Sequence, residues 1–258
     1  MIPKIIHYCW FGGNPIPEKY QNYIDTWKTY APEFKIIRWD ENNFDINNNQ
    51  YCKEAYEAKQ WAFVSDYARL EIIYKYGGVY LDTDIELLKD ISPLLDDGIG
   101  FIGFQNPMEA TTGLGFAAEA NNVCVKSMLD IYKYRIFDLG DGKFNKVPCP
   151  AANTVGLMQQ GLKIGKNWSN KIQELPGLKV YPQEYFNPLN ADTQQLTITK
   201  NTYMIHQYAA TWFSDSAKHK QKIKKLIPNF ILNQRVINIS KRDIERIQQE
   251  VNKGNNNE

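Results

Sequence analysis

Nowhere does the chain place two cysteines at C-x-x-C spacing. Its four, Cys9, Cys52, Cys124 and Cys149, are scattered through 258 residues. That excludes a zinc ribbon and predicts reduced thiols. No apolar run approaches the ~20 residues a membrane-spanning helix needs. The opening Met1-Ile-Pro-Lys-Ile-Ile-His7 breaks its apolar stretch at Pro3 and Lys4 and has no signal-peptide core or cleavage site. A cytoplasmic location is therefore expected. Neither sign of charge dominates: 30 Lys and Arg face 29 Asp and Glu, which gives no overall field for nucleic acid. Internal repeats and interdomain linkers are also lacking.

Aromatic residues are plentiful: 16 Tyr, 12 Phe and 6 Trp. Composition alone favours a large aromatic core over a stacking surface for sugars or bases. Hydrophobic residues at 43% and charged residues at 23% describe a globular domain, alone or with a small annex. Lys4 to Trp10 reads as a buried strand ended by Gly12-Gly13-Asn14-Pro15. Tyr20, Tyr23, Ile24 and Trp27 then recur at helical spacing from Glu18 to Tyr30, and Pro32 stops the pattern. Lys35 to Trp39 is a second short strand. This strand-helix-strand opening predicts an α/β fold. The Asn-rich residues 42–50 are expected to form a loop. A long helix over 60–76 stops at Gly77-Gly78, and a strand over 79–81 follows. Further strands are expected at 100–105 and 203–206. Helices are expected over 123–135, 154–162 and beyond Ser214, with a break at Pro228.

Asp82-Thr83-Asp84 directly follows the predicted strand 79–81. In extended backbone, residues two apart point the same way, so both carboxylates can serve one hard cation, Mn2+ or Mg2+, beside a diphosphate. About one chance D-x-D is expected at this length, and the bland alternative is a solvated turn. Position improves the motif: open α/β sheets bind ligands at the carboxyl ends of their strands. Asp66 and Arg69 share a face of the long helix at i, i+3, either as an ordinary surface pair or as the wall of the same cleft. Trp10, followed by Phe11, Gly12 and Gly13, is either a core cap or a platform for a flat base. His206-Gln207-Tyr208-Ala209-Ala210-Thr211-Trp212 offers an imidazole, hydroxyls and an indole. His206 is either a third metal ligand or a structural histidine.

Several of these segments together resemble glycosyltransferase family 32. This is the D-x-D sugar-transferase group of capsular-polysaccharide enzymes and fungal mannosyltransferases, akin to the glucosylating clostridial toxins. The similarity lies in Ile2–Gly13, Ala62–Arg69, Tyr76–Asp84, Tyr181–Phe186 and Ile205–Trp212, and covers roughly residues 2–213. Where that family often has His-His and Ser-Trp, this chain has His206-Gln207 and Thr211-Trp212.

The resemblance implies a GT-A type nucleotide-diphospho-sugar transferase fold, a Rossmann-like mixed sheet with flanking helices. It also implies a UDP- or GDP-sugar donor, Mn2+ or Mg2+, a saccharide acceptor and retention of anomeric configuration. Carried over, Trp10 and Phe11 lie at the nucleotide, with Trp10 stacking on the base. Tyr80 and Asp82 approach ribose and phosphate, and Asp84 binds the metal directly. Asp82, His206 and Thr211 complete the metal set. Asp66 and Arg69 hold the donor sugar, and Asn153 and Trp212 are further donor contacts. On this reading residues 1–213 form the catalytic domain and 214–258 a helical extension.

Two other enzyme classes use similar acids. A nucleotidyltransferase would carry a basic residue in its first glycine-rich loop, and Gly12-Gly13-Asn14-Pro15 has none. A D-x-D-x-T/V phosphatase would not have Glu86 at its last position or place its acids after a later strand. A non-catalytic saccharide-binding module would need no paired acids. Lys218, His219, Lys220, Lys222, Lys224 and Lys225, interleaved with Ile223, Leu226 and Ile227, form a basic stretch. It is either a solvated helix packed on the domain or a peripheral contact with anionic membrane, where a lipid-linked acceptor would be met.

Overall fold

The computed structural model of the chain describes residues 1–208 and 228–255. The expected basic stretch, Thr211 and Trp212 lie outside the described residues.

The opening unit forms as its periodicity predicts. Strand β1 (Ile5–Cys9) leads through the Gly12-Gly13 turn to α1 (Glu18–Tyr30) and returns as β2 (Lys35–Trp39). β1 and β2 pair in parallel, as a crossover through a helix allows. Helix α1 buries Tyr20, Ile24 and Trp27 on one face. The Asn-rich segment is not a plain loop. Asp45 caps a single 3-10 turn, and the Asn49 side chain accepts from the Cys52 amide to start α2 (Gln50–Glu57). Helix α3 (Trp61–Tyr76) follows and buries half of its residues, Asp66 and Arg69 among them.

Strand β3 (Gly78–Tyr80) lies beside β1 in parallel. Gly77 and Gly78 carry φ of +65° and +102°, values open to glycine. A Cβ on Gly78 would also come within 2.8 Å of the Ile5 carbonyl oxygen. Beyond β3 the strand direction changes. β7 (Phe116–Ala118) pairs antiparallel with both β3 and β5 (Gly100–Asn106), while β9 (Leu178–Tyr181) pairs parallel with β5. β8 (Gln173–Leu175) closes one edge and β6 (Glu109–Thr111) pairs with β5. The result is a mixed sheet ordered β2-β1-β3-β7-β5-β9-β8. A separate two-stranded ribbon joins β4 (Ile85–Leu87) to β10 (Met204–His206), antiparallel.

Two apolar layers cover the sheet. One includes Val64, Ile73, Phe104, Phe116 and Met128 with α2, α3, α4 (Val123–Asp130) and α5 (Cys149–Met158). The other includes Ile6, Trp27, Val79, Phe101 and Phe186. After the short α6 (Lys166–Ser169), the C-terminal helix α7 (Asn229–Asn255) places Ile237, Ile244, Ile247 and Val251 in the first layer. Helix α5 starts at Cys149, earlier than Thr154, because Pro150 suits a first helical turn and the apolar run Cys149–Met158 has no period to read. Among the described residues no helix is long and apolar enough to cross a membrane.

Candidate active site

The carboxyl ends of β1 and β3 lie side by side, and the candidate residues gather there. Asp82 follows β3 by two residues. Its position is set by the parallel register of His7 on Tyr80 and by the Leu81 amide, which donates to the His7 carbonyl. Asp84 precedes β4, and β4 pairs with β10 so that Ile85 stands opposite His206. That register closes the sequence gap between the acids and the histidine. One ligand atom from each of Asp82, Asp84 and His206 lies within 4.8 Å of the others. His206 Nε2 is 3.3 Å from Asp84 Oδ1, and His206 Nδ1 is buried without a hydrogen-bond partner among the described residues. Two carboxylate oxygens and an imidazole suit Mn2+ or Mg2+. Gln207 turns elsewhere, donating to Glu86 at 2.6 Å.

Arg69 organises the floor. Its NH2 group donates to Asp66 Oδ1 at 2.8 Å and its NH1 group to Asp82 Oδ2 at 3.1 Å, while Nε donates to the Ser65 carbonyl. The i, i+3 pair on α3 is therefore no surface pair: the Arg69 side chain is 4% exposed and that of Asp66 12%. One guanidinium ties the long helix to the acidic strand end. The turn Thr112–Leu114 closes over it, for a Cβ on Gly113 would meet Arg69 and Asp82 side-chain atoms at 3.2 Å.

Burial pushes the Asp82 carboxyl up, and the neighbouring Asp84 charge adds to this; Arg69 opposes both and the pKa stays above the ordinary value. Asp66 is likewise raised by burial against the pull of Arg69. For His206 burial favours the neutral ring, but the Asp84 and Asp82 charges outweigh it and hold the pKa above 6.5. A cation bound by Asp82 and His206 would compete with protons at both.

The remaining expected residues sit as follows. Tyr80 is 1% exposed, and its hydroxyl donates to Asp82 Oδ1 at 3.0 Å. It supports Asp82 from beneath. Asn153 is fully buried; its Oδ1 accepts from the Thr112 amide and hydroxyl at 3.1 and 3.0 Å, and its Nδ2 has no partner among the described residues. Phe11 is 5% exposed and meets Phe44 edge-on in the core. Trp10 is half-buried, its Nε1 donating to the Asn14 carbonyl and its ring tilted against Tyr20. Sequence reasoning passed over Trp61. This half-buried indole opens α3 and would lie 2.7 Å from a Cβ on Gly12. It lines a groove with Gly12, Gly13, Asn14 and Glu41. The available signal was a tryptophan at the first position of the helix that carries Asp66.

Residues 17–99 match a protein-family model described as "Glycosyltransferase sugar-binding region containing DXD motif". The matched stretch holds Asp66, Arg69, Asp82 and Asp84. The chain is 32% identical over 126 residues to Inositol phosphoceramide mannosyltransferase 1 of Schizosaccharomyces pombe, covering 43% of this chain and 39% of that protein. It is 35% identical over 107 residues to Uncharacterized glycosyltransferase L373 of Acanthamoeba polyphaga mimivirus, covering 39% of this chain and 42% of that one. The chain thus spans less than half the length of these relatives. A solved structure titled "PaToxG Glycosyltransferase" superposes with a TM-score of 0.49 at 20% identity, over 62% of this chain and 70% of that one.

Proposed function

We propose that the chain is a retaining glycosyltransferase of the GT-A type that moves a hexose from a UDP- or GDP-sugar to a saccharide acceptor. The observation that carries this reading is the convergence of Asp82, Asp84 and His206 beside the buried Arg69 clamp, with both acids and Arg69 inside a stretch matched to a DXD sugar-binding region.

Departure of a nucleoside diphosphate builds negative charge on the leaving phosphates and positive charge at the anomeric carbon. A divalent cation held by Asp82, Asp84 and His206 would supply Lewis-acid stabilisation of the diphosphate. Arg69 adds a fixed positive charge that needs no reorganisation during the reaction. Asp66, held at 2.8 Å from Arg69, would hold donor-sugar hydroxyls. Tyr80 orients Asp82 through its hydroxyl. Trp10 and Trp61 flank the glycine turn where the base stacks, and Asn153, whose amide has no partner among the described residues, is a further donor contact. Among the described residues no side chain stands out as a nucleophile for a covalent sugar intermediate. In the step proposed, the acceptor hydroxyl attacks the anomeric carbon on the face the diphosphate leaves. Its proton passes to the departing phosphate oxygen, so configuration is retained.

The same reading places the enzyme in capsular or cell-surface polysaccharide synthesis in a bacterial cytoplasm. The acceptor would be lipid-linked and met by peripheral membrane contact through the basic residues before α7. The name of the fission-yeast relative makes mannose a donor sugar to include in any panel. Calorimetric titration of UDP- and GDP-sugars tests the donor site. The reading expects binding that requires Mn2+ or Mg2+. Metal-independent binding, or none for any nucleotide sugar, overturns it.

A further inference from the structure

The ribbon of β4 and β10 ends at His206, and the chain leaves it through a bend. Gln207 still pairs with the ribbon, its amide donating to the Asp84 carbonyl at 2.9 Å. Tyr208 then takes a φ of +44°, a left-handed value that a bulky side chain rarely adopts. Such a conformation costs free energy and persists only where the surroundings enforce it. Here the hydroxyl is tied down: it donates to Asn187 Oδ1 at 2.9 Å. Asn187 is 2% exposed, and its Nδ2 donates to the Gln105 carbonyl on β5 at 3.2 Å. Its backbone amide donates to the Gln183 carbonyl at 2.8 Å, just past the 3-10 turn Gln183–Tyr185. The preceding Phe186 is fully buried against β5, where a Cβ on Gly103 would come within 2.5 Å of its ring. Tyr208 is therefore anchored, through Asn187, to the main sheet.

The same bend sets the phenol ring against His206. Residues two apart on a strand share a face and advance by about 6.7 Å. Here the two ring centres are only 4.3 Å apart, with their planes inclined at 58°. A histidine that binds a metal is normally aimed by a hydrogen bond from its second ring nitrogen to a carboxylate or carbonyl. His206 Nε2 is 3.3 Å from Asp84 Oδ1, but Nδ1 is buried with no hydrogen-bond partner among the described residues. The Tyr208 ring supplies a packed wall in place of that bond. Orientation matters because one ligand atom from each of Asp82, Asp84 and His206 must stay within 4.8 Å of the others. A change of χ1 well would swing the imidazole nitrogen away from the two acids.

We propose that Tyr208 is a positioning residue for His206: its ring, locked by the bond to Asn187, holds the imidazole where it can join Asp82 and Asp84 on a divalent cation. This rests on the reading of those three residues as a metal site.

The test measures Mn2+ affinity of the full chain by electron paramagnetic resonance. Wild type, Tyr208→Phe and Tyr208→Leu are compared, each alone and combined with His206→Gln, with folding checked by circular dichroism and melting temperature. Tyr208→Phe removes only the hydroxyl and should lower Mn2+ affinity at least about threefold; Tyr208→Leu, which removes the ring, should lower it at least about tenfold. In the His206→Gln background either change should cost no more than about twofold, because the residue through which it acts is gone. Wild-type affinity in either folded single variant overturns the proposal, as do equal losses with and without His206. Tyr208→Phe decides alone if Tyr208→Leu does not fold. A wild type that binds no Mn2+ overturns both the metal site and this inference. Coupling of Tyr208 to His206 in a protein that binds Mn2+ but no nucleotide sugar would sink the proposed function and leave the inference standing.

Discussion

Lowering the pH should unlock the strand that presents the acids, through His7. Its imidazole is 1% exposed in the middle of β1. Trp39 Nε1, which can only donate, gives its hydrogen to His7 Nδ1 at 3.0 Å; Nε2 therefore carries the proton and donates to the Gly77 carbonyl at 3.1 Å. A second proton would set N–H against N–H at Trp39. Burial drives the pKa down from 6.5 to about 4, against the Gly77 hydrogen bond, which favours the protonated ring. The folded value is the depressed one, so this contribution is complete above pH 6.5 and is lost as pH falls toward 4. At 1.36 kcal/mol per pH unit, the gap between 6.5 and about 4 amounts to about 3 kcal/mol. Urea midpoints for wild type and His7→Gln between pH 7 and pH 4 isolate the effect, because carboxylates titrate alike in both. His206 does not interfere: its raised pKa acts in a window above 6.5. The variant should be less stable at pH 7, and the difference should shrink by about 3 kcal/mol by pH 4. Parallel stability curves would refute the reasoning.

Trp10→Ala should weaken nucleotide binding by about 1–3 kcal/mol if the indole stacks on the base. Unchanged affinity in a folded variant would return Trp10 to packing against Tyr20. Asp66→Asn should impair nucleotide-sugar binding far more than binding of the free nucleotide, measured by competition titration. Equal loss would mean that Asp66 acts only through Arg69. Mn2+ affinity, followed by electron paramagnetic resonance, should fall as pH is lowered, since protons compete at His206 and Asp82. The raised pKa of His206 makes that loss begin above pH 6.5. His206→Gln should flatten the decline, and pH-independent affinity would remove His206 from the site.

Much of the frame was legible in the sequence because it is built from segments long enough to show a period. Helix α1 and strand β2 fall at the bounds that Tyr20, Ile24, Trp27 and Pro32 imply. The glycine turn and the acids after β3 were equally plain. Strands β6 to β9 span three or four residues each, too few to display alternation. Helix α2 was hidden because its cap, Asn49, ends an asparagine run that reads as loop. In the site, the D-x-D pair and the Asp66/Arg69 pair were visible from spacing. Their joining by one guanidinium was not, because it depends on α3 and β3 meeting across the Gly77-Gly78 turn. Nor was the approach of His206 to Asp84, which is set by the register of β4 on β10. The C-terminal segment was expected to be a helical extension. Its described part buries Ile244 and Ile247 in the main core, since the apolar stripe of an amphipathic helix needs a surface to cover.

Release of nucleoside diphosphate from a panel of UDP- and GDP-sugars, with and without Mn2+, tests the central claim most directly when run on wild type and Asp84→Ala together. The account predicts release from at least one donor, dependent on the metal and reduced at least about a hundredfold in a folded Asp84→Ala protein. Release that survives both chelation and the Asp84 substitution would contradict it, as would no release from any donor by the folded wild type.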